Sequence, residues 1–358
     1  MHIGLVIYGS LATLTGGYLY DRLLAEQLAS RGHRVTVLSL PVRPYPWRLL
    51  DNRRRCPPAG EVDLFLEDEL CHPSLLRGNP WQGPGQRAPR VAVVHQVLCD
   101  EPRPAWRNRL YALAERRYLA AVDGFVFNSQ TTATTVASLV AGRRPSVIAS
   151  PAGDRLGSPL DEAAVTRRAQ ASGPLALLFL GNVMPRKGLL PLLSALALVP
   201  EPIWRLTVVG SLAMDPGYAR RVRGLAERSG LGGRVAFCGP LAGDALARVL
   251  AASHLLCMPF AYEGFGIVLL EAMAFGLPVL ASMRGAARET VTPGRNGFLL
   301  APADGARLAG IIRQLAADRS RLADLAVAAL AHFRRQPGWQ AAMARVAGFL
   351  EGLRHGPR

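Results

Sequence analysis

Two glutamates separated by seven residues, Glu263 and Glu271, are the part of the sequence best suited to binding a ligand. A turn flanked by Gly264 and Gly266 follows the first glutamate, and an apolar run begins after the turn. A helix starting near Ile267 would direct its unpaired N–H groups and positive dipole end at a group bound there, which favours an anion such as phosphate. The glycines would let that group approach the backbone closely. The stretch therefore predicts a phosphate site beside two carboxylates.

Glu271 lies inside the apolar run, where an ionised carboxylate is costly unless hydrogen-bond donors meet it. A ribose diol would be a suitable donor. A buried glutamate paired with an arginine in an ordinary helix is the alternative, and it would be preferred for an isolated glutamate. The neighbouring glycines and Glu263 favour the ligand.

A second polar loop, residues 181–188, follows a predicted strand in the same half of the chain and contains Asn182, Arg186 and Lys187. Two adjacent cations can neutralise a diphosphate leaving group, although a solvated surface pair would have the same sequence. Lys187 is the only lysine among the 42 lysines and arginines. Either this position requires a compact ammonium, or one lysine remains by chance in a composition biased toward arginine. Both loops follow strands and can converge on one phosphate.

The first half of the chain offers a glycine pair and a histidine. Gly16 and Gly17 end a long loop before a predicted helix, but they do not form G-x-G-x-x-G, and no acid ends the second strand. A nicotinamide or flavin site is therefore disfavoured, while a close approach of phosphate or sugar and a plain tight turn remain equal alternatives. His95 closes a strand and could contact a sugar hydroxyl or transfer a proton, or be structural.

Short apolar runs alternate with segments of helical period along the chain, which predicts an α/β fold with parallel sheets and crossover helices. In the first half the predicted strands are residues 3–7, 34–38, 62–66, 91–95, 123–127 and 147–149. In the second half they are residues 175–180, 205–209, 234–238, 255–258, 279–281 and 297–300.

The chain of 358 residues exceeds one typical core, and the strand alternation restarts after a polar segment at residues 151–173. We interpret that segment as the connection between two domains. The predicted domains are residues 1–160 and 174–335, followed by a final helical segment at 336–358.

Composition restricts the partners and the compartment. The net charge of +16 suits nucleic acid, nucleotide phosphates or an acidic membrane surface. No C-x-x-C pair or ligand-spaced histidine accompanies the five cysteines, so neither disulfides nor a zinc site is indicated and a reducing cytoplasm fits. The short start before the first strand and the absence of an apolar run of spanning length favour a protein that is at most peripheral at the inner face of the membrane.

Two segments mix arginines with aromatic and aliphatic residues, residues 46–55 and 103–117. Basic amphipathic segments of this kind can lie on anionic lipid. For the second segment we favour a surface helix with its apolar face on the sheet. For the first, the membrane and the ordinary surface remain equal alternatives.

In this order along the chain, the motifs resemble those of the family 4 retaining glycosyltransferases of the GT-B fold. The resemblance covers nearly the whole sequence, and the combination is specific where each short motif would be weak. Its marks are Gly16-Gly17, residues 31–35, His95, residues 123–129, Arg186-Lys187-Gly188, residues 263–279, residues 285–289 and residues 296–299.

The resemblance implies two facing Rossmann-like domains, the second binding a nucleotide-sugar and the first supplying most of the acceptor site, with a C-terminal helix returning to the first. It implies that Glu271 holds the ribose, that Arg186 and Lys187 stabilise the diphosphate, and that Glu263 and His95 lie near the donor sugar. The remaining donor-binding residues it implies are Gly16, Gly17, Asn182, Gly264, Phe265, Gly266, Ile267 and Val268. Many members of the family have arginine where this chain has Asn182, which leaves the donor preference open.

The function implied is transfer of a sugar, with retention of configuration, from a nucleotide-sugar donor to an acceptor glycan or glycolipid. No metal or other cofactor is expected, because cations and a helix dipole do the electrostatic work. A nucleotide-sugar epimerase of the same fold is the first alternative. A phosphorylase is disfavoured because Lys187 lies in a phosphate loop rather than a Schiff-base pocket. A nucleic-acid-binding protein is disfavoured because the arginines form no stripe interleaved with aromatic residues.

Overall fold

The computed structural model describes residues 1–53, 61–82, 88–157, 160–302 and 304–355, with the side chains of residues 354 and 355 excepted. Contacts between Cα atoms divide the chain into two compact units. Unit 1 consists of Met1–Pro151 and Trp339–Arg358, and unit 2 is Ala152–Gly338.

Unit 1 is built on a six-stranded sheet with the order β2-β1-β3-β4-β5-β6, in which all strands are parallel. Its central strands are near-continuous apolar runs because both faces of a parallel sheet are buried under helices. The strands are β1 His2–Tyr8, β2 Arg34–Leu40, β3 Leu64–Asp68, β4 Arg90–Val94, β5 Gly124–Phe127 and β6 Ser146–Ile148. The helices are α1 Gly16–Ser30, α2 Tyr45–Arg48, α3 His72–Leu75, α4 Ala105–Leu119 and α5 Gln130–Leu139.

Unit 2 repeats this architecture with the strand order β12-β11-β10-β7-β8-β9, again parallel throughout. The strands are β7 Leu175–Leu180, β8 Trp204–Val209, β9 Val235–Gly239, β10 Leu255–Met258, β11 Val279–Ser282 and β12 Gly297–Leu300. The helices are α6 Glu162–Gln170, α7 Leu189–Leu196, α8 Pro216–Arg228, α9 Gly243–Ala252, α10 Ile267–Ala274, α11 Ala287–Thr290, α12 Gly305–Ala317 and α13 Arg319–Arg334.

The polar segment at residues 151–173 contains the helix α6, which the sequence analysis did not predict because the segment is mostly polar. Asp161 caps α6 by accepting a hydrogen bond from the Ala164 N–H, and α6 buries Val165 and Ala169 in the core of unit 2. Two apolar positions four residues apart are enough to attach this short helix to α13, which packs beside it. Residues 158 and 159 of the segment lie outside the described residues.

The final helix, α14 Trp339–His355, belongs to unit 1, where it contacts α1 and β6. Near its end Glu351 accepts hydrogen bonds from Arg31 Nη2 at 2.9 Å and from His33 Nε2 at 2.8 Å. These side chains connect α14 to the turn between α1 and β2.

The predicted α/β fold is confirmed, and each predicted strand is present with its ends within two residues of the predicted ones. Parallel order places the polar loops after β4, β7 and β10 at the carboxyl ends of strands, where ligands of such sheets bind. Within the described ranges, no helix is both long and apolar enough to cross a bilayer.

Candidate functional site

The loop after β7 is held tightly against the chain that follows β10. Gly188 has φ of +80°, and a Cβ added there would lie 2.1 Å from the Pro259 carbonyl oxygen, so only glycine fits. The Ala261 N–H donates to the Arg186 carbonyl oxygen at 2.8 Å. Two loops that are far apart in sequence are thereby joined beside Arg186 and Lys187.

The Glu263 carboxylate is the centre of this arrangement. Lys187 Nζ donates to Glu263 Oε2 at 2.5 Å, and Arg186 Nη1 donates to the same oxygen at 3.3 Å. Burial raises the pKa of the Glu263 carboxyl, but the two cations together lower it by more than burial raises it. The pKa of Glu263 therefore lies below the usual value, and the carboxyl is ionised at neutral pH. Two cations and one carboxylate leave one net positive charge, which suits an anion.

The turn after Glu263 forms the start of α10. Gly266 has φ of +85° at the N-cap, and its carbonyl oxygen accepts from the Leu269 N–H at 2.9 Å. A Cβ at Gly266 would lie 3.2 Å from Leu269 and 3.4 Å from Glu263 Cγ, so a side chain would press on both. The helix terminus at Ile267 and Val268 therefore begins directly beside the charged group, as the residue pattern predicts.

Glu271 is buried inside α10, with 1% of its surface exposed. Arg155 Nε donates a hydrogen bond to Glu271 Oε1 from the short turn Asp154–Leu156. Burial raises the pKa of the Glu271 carboxyl, and Arg155 offsets only part of that rise. The alternative of an arginine partner, left open by the sequence, is thus present in the structure, while the ribose role of Glu271 stays a prediction.

Asn182 and Gly17 also have defined surroundings. Asn182 Oδ1 accepts a hydrogen bond from the Ser211 N–H at 3.2 Å, which fixes the loop after β8 to the loop after β7. In unit 1, α1 begins at Gly16, and a Cβ added to Gly17 would lie 3.2 Å from the His95 ring. The donor-binding roles of these residues stay predictions.

His95 follows β4 in unit 1 and is 8% exposed. Its Nε2 hydrogen-bonds Asp21 Oδ1 at 2.9 Å, and its carbonyl oxygen accepts from Asn128 Nδ2 at 2.7 Å. Burial lowers the pKa of His95, but Asp21, with smaller contributions from Asp68 and Glu69, raises it to about 9. His95 is therefore an imidazolium at neutral pH, able to donate hydrogen bonds.

Two partners, Asp21 and Arg155, were missed in the sequence. Asp21 lies on the buried face of α1 together with Leu24 and Leu28, and an acid at that helical spacing was a usable signal. Arg155 gave no signal, because it stands in a polar segment among many other arginines.

Comparison with known proteins gives a consistent family. The family model described as "Glycosyl transferases group 1" matches residues 164–331. The D-inositol 3-phosphate glycosyltransferase of Acidothermus cellulolyticus is 31% identical over 375 residues, covering 88% of this chain and 81% of that protein.

Other relatives match over a shorter span. The D-inositol 3-phosphate glycosyltransferase of Stackebrandtia nassauensis is 32% identical over 256 residues, or 69% of this chain and 57% of that protein. The GDP-mannose-dependent alpha-(1-6)-phosphatidylinositol monomannoside mannosyltransferase of Mycobacterium tuberculosis is 31% identical over 54% of this chain and 52% of that protein. In these matches the chain spans a little over half the length of its curated relatives.

Solved structures share the fold over nearly the whole chain. Sucrose-phosphate synthase from Thermosynechococcus elongatus has a TM-score of 0.80 at 22% identity and covers 98% of each chain. Anabaena Alr3699/HepE in complex with UDP-glucose has a TM-score of 0.77 at 21% identity, covering 98% of this chain and 100% of that one. These similarities confirm the predicted GT-B class with two Rossmann-like domains.

We predict that Asp21→Asn lowers the pKa of His95, because the neutral amide no longer stabilises the imidazolium. Because the pKa of His95 in the fold is about 9, the pair stabilises unit 1 fully below pH 6.5 and loses that effect as the pH rises through 9. The loss of stability on substitution should be on the order of 1–3 kcal/mol at pH 6 and small at pH 10.

Imidazole titration by NMR and thermal unfolding at the two pH values check this prediction. The control is Glu26→Gln, which removes one negative charge from an exposed position of the same helix. It should alter neither the pKa of His95 nor the thermal stability. An unchanged titration of His95 in Asp21→Asn would contradict the assigned role of Asp21.

Proposed function

Because the chain belongs to the group 1 glycosyl transferases, we propose that it transfers a sugar from a nucleotide-sugar donor to a glycan or glycolipid acceptor with retention of anomeric configuration, as family 4 enzymes do. The observation that carries the proposal is the group formed by Lys187, Arg186 and Glu263 beside the N-terminus of α10. It is an anion site made of side chains and a helix end.

The charges of this group fit the leaving group of such a reaction. As the bond from sugar to phosphate breaks, negative charge develops on the nucleoside diphosphate, and donors already aimed at that position lower the barrier. Glu263 holds both cations in place before the donor arrives. They therefore need little reorganisation during the reaction.

Side chains supply the positive charge that a divalent ion provides in other phosphate sites, so the donor site needs no metal in this proposal. The backbone of residues 264–268 would contact the phosphate and sugar, and Glu271 would accept hydrogen bonds from the ribose hydroxyls. Asn182, Gly16 and Gly17 would complete the donor contacts.

In unit 1, the proposal gives His95 a contact with a hydroxyl of the donor sugar. As an imidazolium held by Asp21, it has one ring nitrogen engaged and presents its other N–H as a donor. The acceptor is a glycan or glycolipid, and the proposed compartment is the cytoplasm.

The first prediction from the proposed function is that Lys187→Ala lowers turnover by on the order of 10²-fold or more, because one contact aimed at the leaving phosphate is lost. Release of nucleoside diphosphate is a suitable first assay, with UDP-glucose, which is bound in one similar solved structure, and GDP-mannose, on which one relative depends. Arg205→Ala, which removes an exposed cation from the same unit, is the control and should retain full turnover. Near-complete turnover in a folded Lys187→Ala variant would refute the assignment.

A second prediction separates ribose binding by Glu271 from its ion pair. Both Glu271→Gln and Arg155→Met break the pair, but only the first removes the carboxylate. Hydrogen bonds to a charged group contribute about 1.5–3 kcal/mol, so Glu271→Gln should weaken nucleotide binding by roughly 10- to 100-fold. Arg155→Met should retain the affinity or increase it, since the carboxylate loses a competing partner. Equal losses in the two variants, measured by calorimetry, would argue for a structural role alone.

The membrane hypothesis gains support from the surface of unit 1. The expectation that α4 turns its apolar face to the sheet is wrong for its first half, where Trp106 is 59%, Leu110 59% and Leu113 66% exposed. These positions recur at helical spacing on the solvent side, while Glu115 and Tyr118 are buried.

Of the segment at residues 46–55, the part at 46–50 lies beside this helix and is mostly exposed, whereas Asp51 is buried. The rings of Tyr45 and Tyr111 meet at 4.4 Å, and Trp47 is 60% exposed next to the partly exposed Leu49 and Leu50. Arg54 and Arg55 lie outside the described residues. We propose that this apolar surface, with the arginines around it, rests on an anionic bilayer during transfer to a lipid-linked acceptor.

The third prediction is that the protein sediments with vesicles containing anionic lipid at low salt, and much less with neutral vesicles. Replacing Trp47 and Trp106 together with serine should abolish most of the binding. Leu198→Ser, at a similarly exposed site of unit 2, should leave it unchanged. No binding of the unmodified protein at low salt would remove the membrane part of the proposal.

A further inference from the structure

A buried group of ionisable side chains in unit 1 takes no part in the proposed donor chemistry. Glu69 begins the short 3-10 turn after β3, His72 begins α3, and Glu115 lies in the second half of α4. We call these three residues the Glu69 cluster. Each is 0% exposed, so none can be solvated by bulk water.

Glu69 is the member whose charge is not accounted for. Neither of its carboxylate oxygens has a hydrogen-bond partner among the described residues. His72 Nδ1 lies 3.0 Å from both Glu69 Oε1 and the Glu69 carbonyl oxygen, but in the tautomer with its proton on Nε2 it donates to neither. An ionised carboxylate in such surroundings costs several kcal/mol unless a cation meets it.

The rest of the cluster does not supply that cation. Glu115 is a second carboxylate, accepting from the Leu98 N–H at 2.5 Å and the Cys99 N–H at 3.1 Å. The neighbouring Arg90 is engaged by both oxygens of Glu67, at 2.9 Å each.

The positions of the ligand atoms suit a single ion. One atom from each of the three side chains lies within 4.8 Å of the other two. In a tetrahedral site, oxygen and nitrogen ligands at about 2.0–2.2 Å from the metal lie about 3.3–3.6 Å apart, so the three side chains would close around the ion when it binds. Two carboxylates and one imidazole form a donor set that suits Zn²⁺ or Mn²⁺.

The imidazole of His72 already has an orienting contact. Its Nε2 lies 2.8 Å from the Tyr45 hydroxyl, so the tautomer with its proton on Nε2 can donate to that oxygen and leaves Nδ1, 3.0 Å from Glu69 Oε1, able to ligate. Ligating histidines commonly have such a partner on the other ring nitrogen.

We propose that Glu69, His72 and Glu115 bind one divalent transition-metal ion, Zn²⁺ or Mn²⁺, as a structural site within unit 1. The ion would join the end of β3 and the start of α3 to α4, and it would balance the charge of the two carboxylates. This site is separate from the donor site, for which no metal is proposed, so the two proposals can fail independently.

Metal content and thermal stability of the full chain test this inference. After equilibration with Zn²⁺ or Mn²⁺ and removal of free ion, we expect about one ion per chain by mass spectrometry. Prolonged chelation should lower Tm, and addition of the same ion at 100 times its Kd should raise it again by about 5 °C or more. Glu69→Gln should retain no ion and show no ion-dependent change in Tm.

The control is Glu101→Gln, which removes a partly buried carboxylate of unit 1 outside the cluster and should keep the ion response. If Glu69→Gln does not fold, Glu115→Gln provides the same comparison. The proposal is overturned if the unmodified chain retains no ion, or if Glu69→Gln retains as much ion as the unmodified chain. It is also overturned if Glu69→Gln in ion-free buffer equals the ion-loaded protein in stability, since Glu69 would then be a neutral acid.

Discussion

The candidate site depends on one ionised carboxylate, Glu263, held between two cations. Lys187 and Arg186 are adjacent in the chain, and without an anion between them their charges would repel. Glu263 removes that repulsion and fixes both side chains, while its own backbone is held by the Ala286 N–H at 3.1 Å. The remaining positive charge lies beside the start of α10. In the proposed function, a phosphate bound there would meet cations that Glu263 has already positioned.

Two other proposed site residues are also held by an oppositely charged side chain. His95 is paired with Asp21, and Glu271 with Arg155, each inside one unit and each largely removed from water. Removing one partner of such a pair leaves an uncompensated buried charge, which costs far more than the pair contributes. Each pair holds the His95 or Glu271 side chain in one orientation. Among the described residues, the Glu69 carboxylate has no hydrogen-bonded partner of this kind, which is why the cluster points to an ion.

Much of this molecule could be predicted because its local signals agree with its fold. Apolar runs of strand length, separated by helical segments, predicted the parallel sheets, and Gly264 and Gly266 predicted the turn before α10. The prediction for the first half of α4 was wrong because a helix with apolar residues on more than one side does not specify which side faces the sheet. The helix at residues 162–170 was missed because only two of its side chains reach the core.

The sequence by itself determined the approximate positions of the strands along the chain and of the loops at their carboxyl ends, and it predicts which residues can bind an anion, since these follow from periodicity and residue type over short distances. Only the tertiary structure decided the charge pairs. Asp21 and His95 are 74 residues apart, Arg155 and Glu271 are 116, and Lys187 and Glu263 are 76. Which charges meet across such separations depends on how the elements pack, and in a chain with 42 basic residues the sequence offers too many candidate partners to choose among.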